Sequence, residues 1–155
     1  LIICNNKNAK GINYAKKNKI NFLIVNYKNK NKAENKILIN LKKNKINLIC
    51  LAGFMKILSK KIINIYKDRI LNIHPSLLPK YKGLNTHKRV LKNKEKFTGC
   101  TVHLVSSKLD SGKIILQKKI KVLKKDNEYS LAKRVLKIEN LIYPMAIRKF
   151  IDTNL

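Results

Sequence analysis

Apolar residues in this chain fall into short runs separated by polar stretches rich in lysine and asparagine, and the runs alternate between two periods. Leu1-Ile2-Ile3-Cys4 reads as a short buried strand, followed by the polar turn Asn5-Asn6-Lys7 and a helix over 9–17. The run over 21–26 is the next strand, so the chain opens with a strand–helix–strand unit. Ile37, Leu38 and Leu41 recur at the spacing of a helix with one buried stripe, which predicts a helix over 33–44. The run over 46–52 has the unbroken apolar character of a central parallel strand, and Gly53 ends it. Ser59 is a natural N-cap for a helix over 59–66. A strand over 69–74, a helix over 86–94, strands over 98–105 and 113–121 and a long helix over 130–149 complete the pattern. The tract over 28–35, nearly all Lys and Asn, comes closest to low complexity.

This alternation predicts an α/β fold: a doubly wound, mostly parallel sheet in a single domain, 1–155. Ligands in such sheets bind beyond the carboxyl ends of the strands, where Gly53, Asn72 and His74 fall.

Composition changes the picture in one respect. The formal net charge is +28, which ordinarily points to nucleic acid or an anionic membrane surface. Lys and Asn are spread through almost every segment, however, whereas a basic footprint gathers on one face or tail. We read the excess as a global residue bias, unfavourable to stability and favourable to anionic ligands, and expect neither nucleic acid nor membrane as partner. Cys4, Cys50 and Cys100 are widely spaced with no metal-binding pattern, and no segment resembles a signal peptide or a bilayer span. The expectation is a cytoplasmic protein with reduced cysteines, Cys4 and Cys50 serving as small core residues, and no bound metal.

The richest stretch is Asn72-Ile73-His74-Pro75-Ser76-Leu77-Leu78-Pro79. In an extended backbone alternate side chains share a face, so Asn72 and His74 look into one cavity while Ile73 packs behind them. Pro75 and Pro79 hold His74 and Leu78 extended. An amide able to donate to a developing oxyanion, beside a group able to carry a proton, suits acyl transfer.

With Leu51 to Ser59 upstream, Lys80-Tyr81-Lys82-Gly83-Leu84-Asn85-Thr86-His87 downstream, Thr98 to His103, and Leu109-Asp110-Ser111-Gly112, this stretch resembles the phosphoribosylglycinamide formyltransferases, folate-dependent transformylases of purine synthesis. The resemblance covers about two thirds of the chain and ends near Glu139 and Tyr143-Pro144. It implies a small-molecule enzyme that passes a formyl group from 10-formyltetrahydrofolate, as cosubstrate, to the amine of phosphoribosylglycinamide. It makes His74 the proton donor, Asn72 a donor to the oxyanion and a folate contact, and Asp110 the carboxylate that raises the pKa of His74 by favouring the cation. Met55, Lys56, Ile57 and Leu58 match the segment that receives the pterin, Lys30 a basic residue that contacts the folate, and Glu139 a partner for the nucleotide. The family usually has Arg where Lys56 stands. His103 is expected to line the cavity behind the catalytic residues, and His87 to be structural or peripheral.

Relatives open with a strand and a Gly- and Ser-rich loop that cradles the substrate phosphate. Leu1 falls in the middle of a strand with no such loop before it, so we expect an N-terminally truncated chain that lacks the phosphate anchor. Two other readings stand beside this one. A methionyl-tRNA formyltransferase shares a similar signature, but the 81–87 segment follows the glycinamide pattern, and we expect no tRNA-binding domain after Leu155. The other is a folate-binding fragment without turnover.

Overall fold

The computed structural model describes residues 1–154, which divide after Asn47 into two units, each with its own sheet. The first unit holds β1 (Ile2–Cys4), α1 (Lys10–Lys17), β2 (Phe22–Ile24) and α2 (Lys30–Lys43). β1 and β2 pair in parallel, Ile2 opposite Phe22, with α1 as the crossover expected from the sequence. Ile12 and Ala15, three apart, form the buried stripe of α1, and Ala33, Ile37 and Leu41, four apart, that of α2. α2 begins earlier than the apolar periodicity indicates, because Asn29 caps it by accepting from the Lys32 N–H at 3.0 Å. Capping requires no apolar residue, so the Lys/Asn tract concealed a helix start.

The second unit contains β3 (Ile49–Leu51), α3 (Lys60–Ile65), β4 (Ile70–His74), α4 (Thr86–Lys92), β5 (Phe97–Leu104), β6 (Ile114–Lys121) and α5 (Glu128–Asn154). Its sheet runs β3-β4-β5-β6. β3 and β4 are parallel, whereas β5 is antiparallel to both β4 and β6, so the α/β sheet is mixed. Gly53 follows β3 with a φ of +63°, a backbone state that suits glycine, and Ser59 caps α3 through its hydroxyl as expected. β3 is three residues long and, among the described residues, stands at the end of this unit's sheet beside β4; Cys50 on it is exposed rather than buried. Cys4 is half-buried.

The core of this unit lies between the sheet and α5. Leu131, Val135, Ile142, Ala146 and Phe150 form one buried stripe along α5, packed with Val90, Cys100, Val102 and Leu71. Tyr143 Oη lies 2.8 Å from the Leu51 carbonyl and 3.2 Å from that of Leu71, so one phenol proton ties α5 to the ends of β3 and β4. Burial pushes the Tyr143 phenol pKa well up, which keeps that proton in place. No helix among the described residues is long and apolar enough to cross a membrane.

β5 is the pivot of the sheet, buried along nearly its whole length. At Gly99 a Cβ would collide with the Lys118 carbonyl on β6 and come within 2.8 Å of Leu77 Cδ2. Gly99→Ala is therefore expected to force β5 from β6 and cost about 2 to 3 kcal/mol. Urea unfolding checks this, and a loss under about 0.5 kcal/mol, typical of an uninvolved surface change, would mean that the strands absorb the methyl group.

Candidate active site

The antiparallel register of β4 and β5 sets Asn72 opposite His103 and His74 opposite Thr101. Directly opposed side chains share a face, and the Asn72 amide nitrogen lies 3.3 Å from His103 Nε2. His74, two residues along, projects to the same side as Asn72, while Ile73 packs into the core behind them. The chain after β4 is pinned by one hydroxyl. Thr101 Oγ1 donates to the Ser76 carbonyl at 2.6 Å and accepts from the Leu78 N–H at 3.2 Å and from the Gln117 amide at 2.8 Å. The Leu78–Pro79 peptide is cis.

Asp110, with a φ of +44°, turns its carboxylate back towards this face, where it is 9% exposed. Its Oδ2 accepts from the Gly83 N–H at 2.8 Å and lies 3.4 Å from His74 Nδ1; its Oδ1 lies 3.7 Å from His103 Nε2. The two imidazoles differ in what surrounds them. His103 Nδ1 is 2.8 Å from the Leu104 carbonyl, which can only accept, so the ring carries its proton there. Burial holds the His103 pKa below its ordinary value, leaving Nε2 as the acceptor for Asn72. That bond fixes which end of the Asn72 amide faces His103, and the second N–H of the same nitrogen remains to donate elsewhere. His74 Nε2 meets the Tyr81 carbonyl at 2.9 Å, so both of its nitrogens face acceptors.

Asn72, His103 and Asp110 open onto a cleft of about 750 Å³, counting its open mouth. Leu51, Phe54, Ile57, Leu58, Ile63 and Val105 supply apolar walls, and Lys56, Lys108 and the serines of the 105–110 loop supply polar ones. Apolar walls around a few convergent polar groups are the ordinary make-up of a small-molecule site.

Residues 1–147 match the formyl transferase family. The chain belongs to that family. It is 39% identical over 155 residues to the trifunctional purine biosynthetic protein adenosine-3 of Drosophila melanogaster, covering 98% of this chain and 12% of that protein. To the phosphoribosylglycinamide formyltransferase of Escherichia coli it is 47% identical over 109 residues, 70% of this chain and 51% of the relative. The crystal structure of glycinamide ribonucleotide transformylase 1 from Symbiobacterium toebii superposes with a TM-score of 0.93 at 35% identity, over 99% of this chain and 74% of that one. The chain thus spans about half, or much less, of these two curated relatives.

Of the site residues read from the sequence, the structure puts Asn72, Asp110, Lys56, Ile57 and Leu58 in the wall of the cleft and His74 behind it, against Asp110 and outside the lining. Met55 lies outside that lining and is 72% exposed. Lys30 opens α2 in the other unit. Glu139 lies on α5, outside the cleft lining, and burial raises its carboxyl pKa above the ordinary range. Sequence reasoning missed the 105–109 loop as a wall and the Gly83 N–H as the donor to Asp110. Serines and a lysine in a loop, and a backbone N–H, carry no spacing that marks a site, and only the turn of the chain brings them in.

The depressed pKa of His103, and of His87 where burial acts likewise, sets a pH dependence. Below the ordinary value of 6.5 the unfolded chain binds protons on these rings that the folded chain refuses, so stability is full above 6.5 and falls as pH drops through the folded values. Denaturation at stepped pH should show this loss, and His103→Gln should lessen the slope. An unchanged slope in that variant would remove His103 from the effect.

Proposed function

We propose that the chain transfers a formyl group from 10-formyltetrahydrofolate to the amine of phosphoribosylglycinamide, giving the N-formyl product and tetrahydrofolate. The observation that carries this reading is that Asn72 and Asp110 line the cleft together, with the buried His74 outside the lining and its Nδ1 3.4 Å from Asp110 Oδ2. Transfer forms a bond between the amine nitrogen and the formyl carbon, breaks the bond from that carbon to the folate nitrogen, and moves one proton from the first nitrogen to the second. Charge develops on the formyl oxygen between these events. The unshared N–H of Asn72 is the donor for that oxygen, and a donor prepositioned by His103 needs no reorganisation when the charge appears. His74, protonated against Asp110, supplies the proton that the leaving nitrogen needs and is restored by the surplus proton of the amine. A flat pterin suits the apolar walls formed by Phe54, Ile57, Leu58 and Val105, with backbone groups of the 105–110 loop pairing its polar edge. Glu139 and Lys30 are proposed contacts of the nucleotide and the folate respectively, on the resemblance of their positions.

His74→Ala is expected to lower turnover by roughly a hundred-fold or more, the usual scale for a positioned acid or base. Steady-state formyl transfer measures it; turnover and substrate binding that both stay unchanged would take His74 out of the mechanism. In the cleft, Lys56→Ala should weaken binding of a folate analogue by less than about tenfold, whereas Ile57→Asp, which puts charge on an apolar wall, should weaken it far more. Calorimetry ranks the two, and the reverse order would place the pterin elsewhere.

A further inference from the structure

One turn touches both members of the His74–Asp110 pair. The Tyr81 carbonyl lies 2.9 Å from His74 Nε2, and the Gly83 N–H donates to Asp110 Oδ2 at 2.8 Å. Residues 81–83 therefore set how far apart imidazole and carboxylate stand. The turn is left-handed, with φ of +57° at Tyr81 and +78° at Gly83. Glycine adopts that state freely, but for tyrosine it costs on the order of 1 kcal/mol, and such a conformation persists only where its surroundings impose it.

The surroundings that impose it are in the side chain of Tyr81 itself. Its hydroxyl donates to Glu95 Oε1 at 2.9 Å and accepts from the Asn93 amide at 2.9 Å. The Arg89 guanidinium lies 5.3 Å from the ring centroid, while Arg89 Nη1 donates to the Lys82 carbonyl at 2.6 Å. Lys80 Nζ donates to the same Glu95 oxygen at 3.0 Å. The residues on either side of Tyr81, and its ring, are thus all held from α4 and the turn after it. None of these holding groups lines the cleft.

We propose that Glu95 is a positioning residue for the transfer reaction: by holding the Tyr81 hydroxyl it fixes the left-handed turn that spaces His74 from Asp110. This rests on the reading of His74 as the proton donor. If the hold is released, Tyr81 relaxes towards negative φ and its peptide plane rotates. The carbonyl then leaves His74 Nε2, and the Gly83 N–H shifts under Asp110. Misplacement of about 1 Å is enough to cost a reaction up to a hundred-fold.

The test compares Glu95→Ala, Glu95→Gln, Tyr81→Phe and the Tyr81→Phe/Glu95→Ala pair. Glu95→Ala and Tyr81→Phe should each lower kcat about tenfold with KM for both substrates within about twofold, the pattern of a loss felt only in the transition state. The pair should be little worse than either single change, since both remove one interaction. Glu95→Gln keeps an oxygen that accepts the phenol proton and should keep most of the turnover. A readout independent of transfer is the His74 Nε2–H resonance in a proton–nitrogen spectrum. It should exchange slowly in the parent and in Glu95→Gln, and be lost to fast exchange in Glu95→Ala and Tyr81→Phe. Persistence of that resonance in Glu95→Ala, or a lowered melting temperature with kcat unchanged, overturns the proposal. Should the parent transfer no formyl group at all, the proposed function fails on its own, and the ring resonance still decides whether Glu95 positions His74.

Discussion

The carboxylate of Asp110 is the charge around which the second unit is arranged. A carboxylate moved out of water loses several kcal/mol of solvation unless partners replace it. At 9% exposure Asp110 has one backbone donor, Gly83, and two imidazoles within 4 Å. Only one imidazole can answer it. The proton of His103 is committed to the Leu104 carbonyl, and its other nitrogen meets the donor amide of Asn72, so the neutral ring has both partners that it needs. His74 has the opposite surroundings: a carbonyl at one nitrogen and the carboxylate at the other. Two copies of the same side chain thus take different parts because their neighbours differ in donor and acceptor character.

That division depends on the register of β4 against β5. A slip of one residue turns every side chain of a strand to the other face. It would send Asn72 away from His103 and bury it among the apolar residues behind the sheet, where Ile73 now packs. One hydroxyl on β5 opposes a slip. Thr101 Oγ1 has all its hydrogen-bonding capacity used by Ser76, Leu78 and Gln117, three segments that can meet there only in this register.

Much of this was legible in the sequence where a residue acts locally. Ser59 caps because a hydroxyl before a helix finds orphan N–H groups, and Gly53 turns because φ is positive there. Asn72 and His74 share a face by strand geometry alone. What escaped is non-local. The burial of a strand's side chains depends on what covers its faces, so Cys50, in the apolar run over 46–52, looked like core although it is exposed. The antiparallel direction of β5 leaves no mark on its own composition. Glu95 gave no signal because a lone acid after a helix resembles any surface charge, and nothing in the sequence pairs it with Tyr81, whose carbonyl lies against His74.

The lysine excess bears on the site less than its size suggests. Thirty-six basic and eight acidic residues make a strong positive field, but at about 0.1 M salt exposed charges more than about 10 Å apart are largely screened. What remains is local, and three of the acids, Glu95, Asp110 and Asp126, are tied into hydrogen-bond networks. Glu95 holds Tyr81 and Lys80, and its carboxyl pKa is lowered first by the hydrogen bond from Lys80. Asp126 accepts from Arg134, Ser130 and the Leu123 N–H at the start of α5. Asp110 answers His74. The geometry of the site is therefore sensitive to each acid singly, while losing any one exposed lysine changes only a field that the solvent already attenuates.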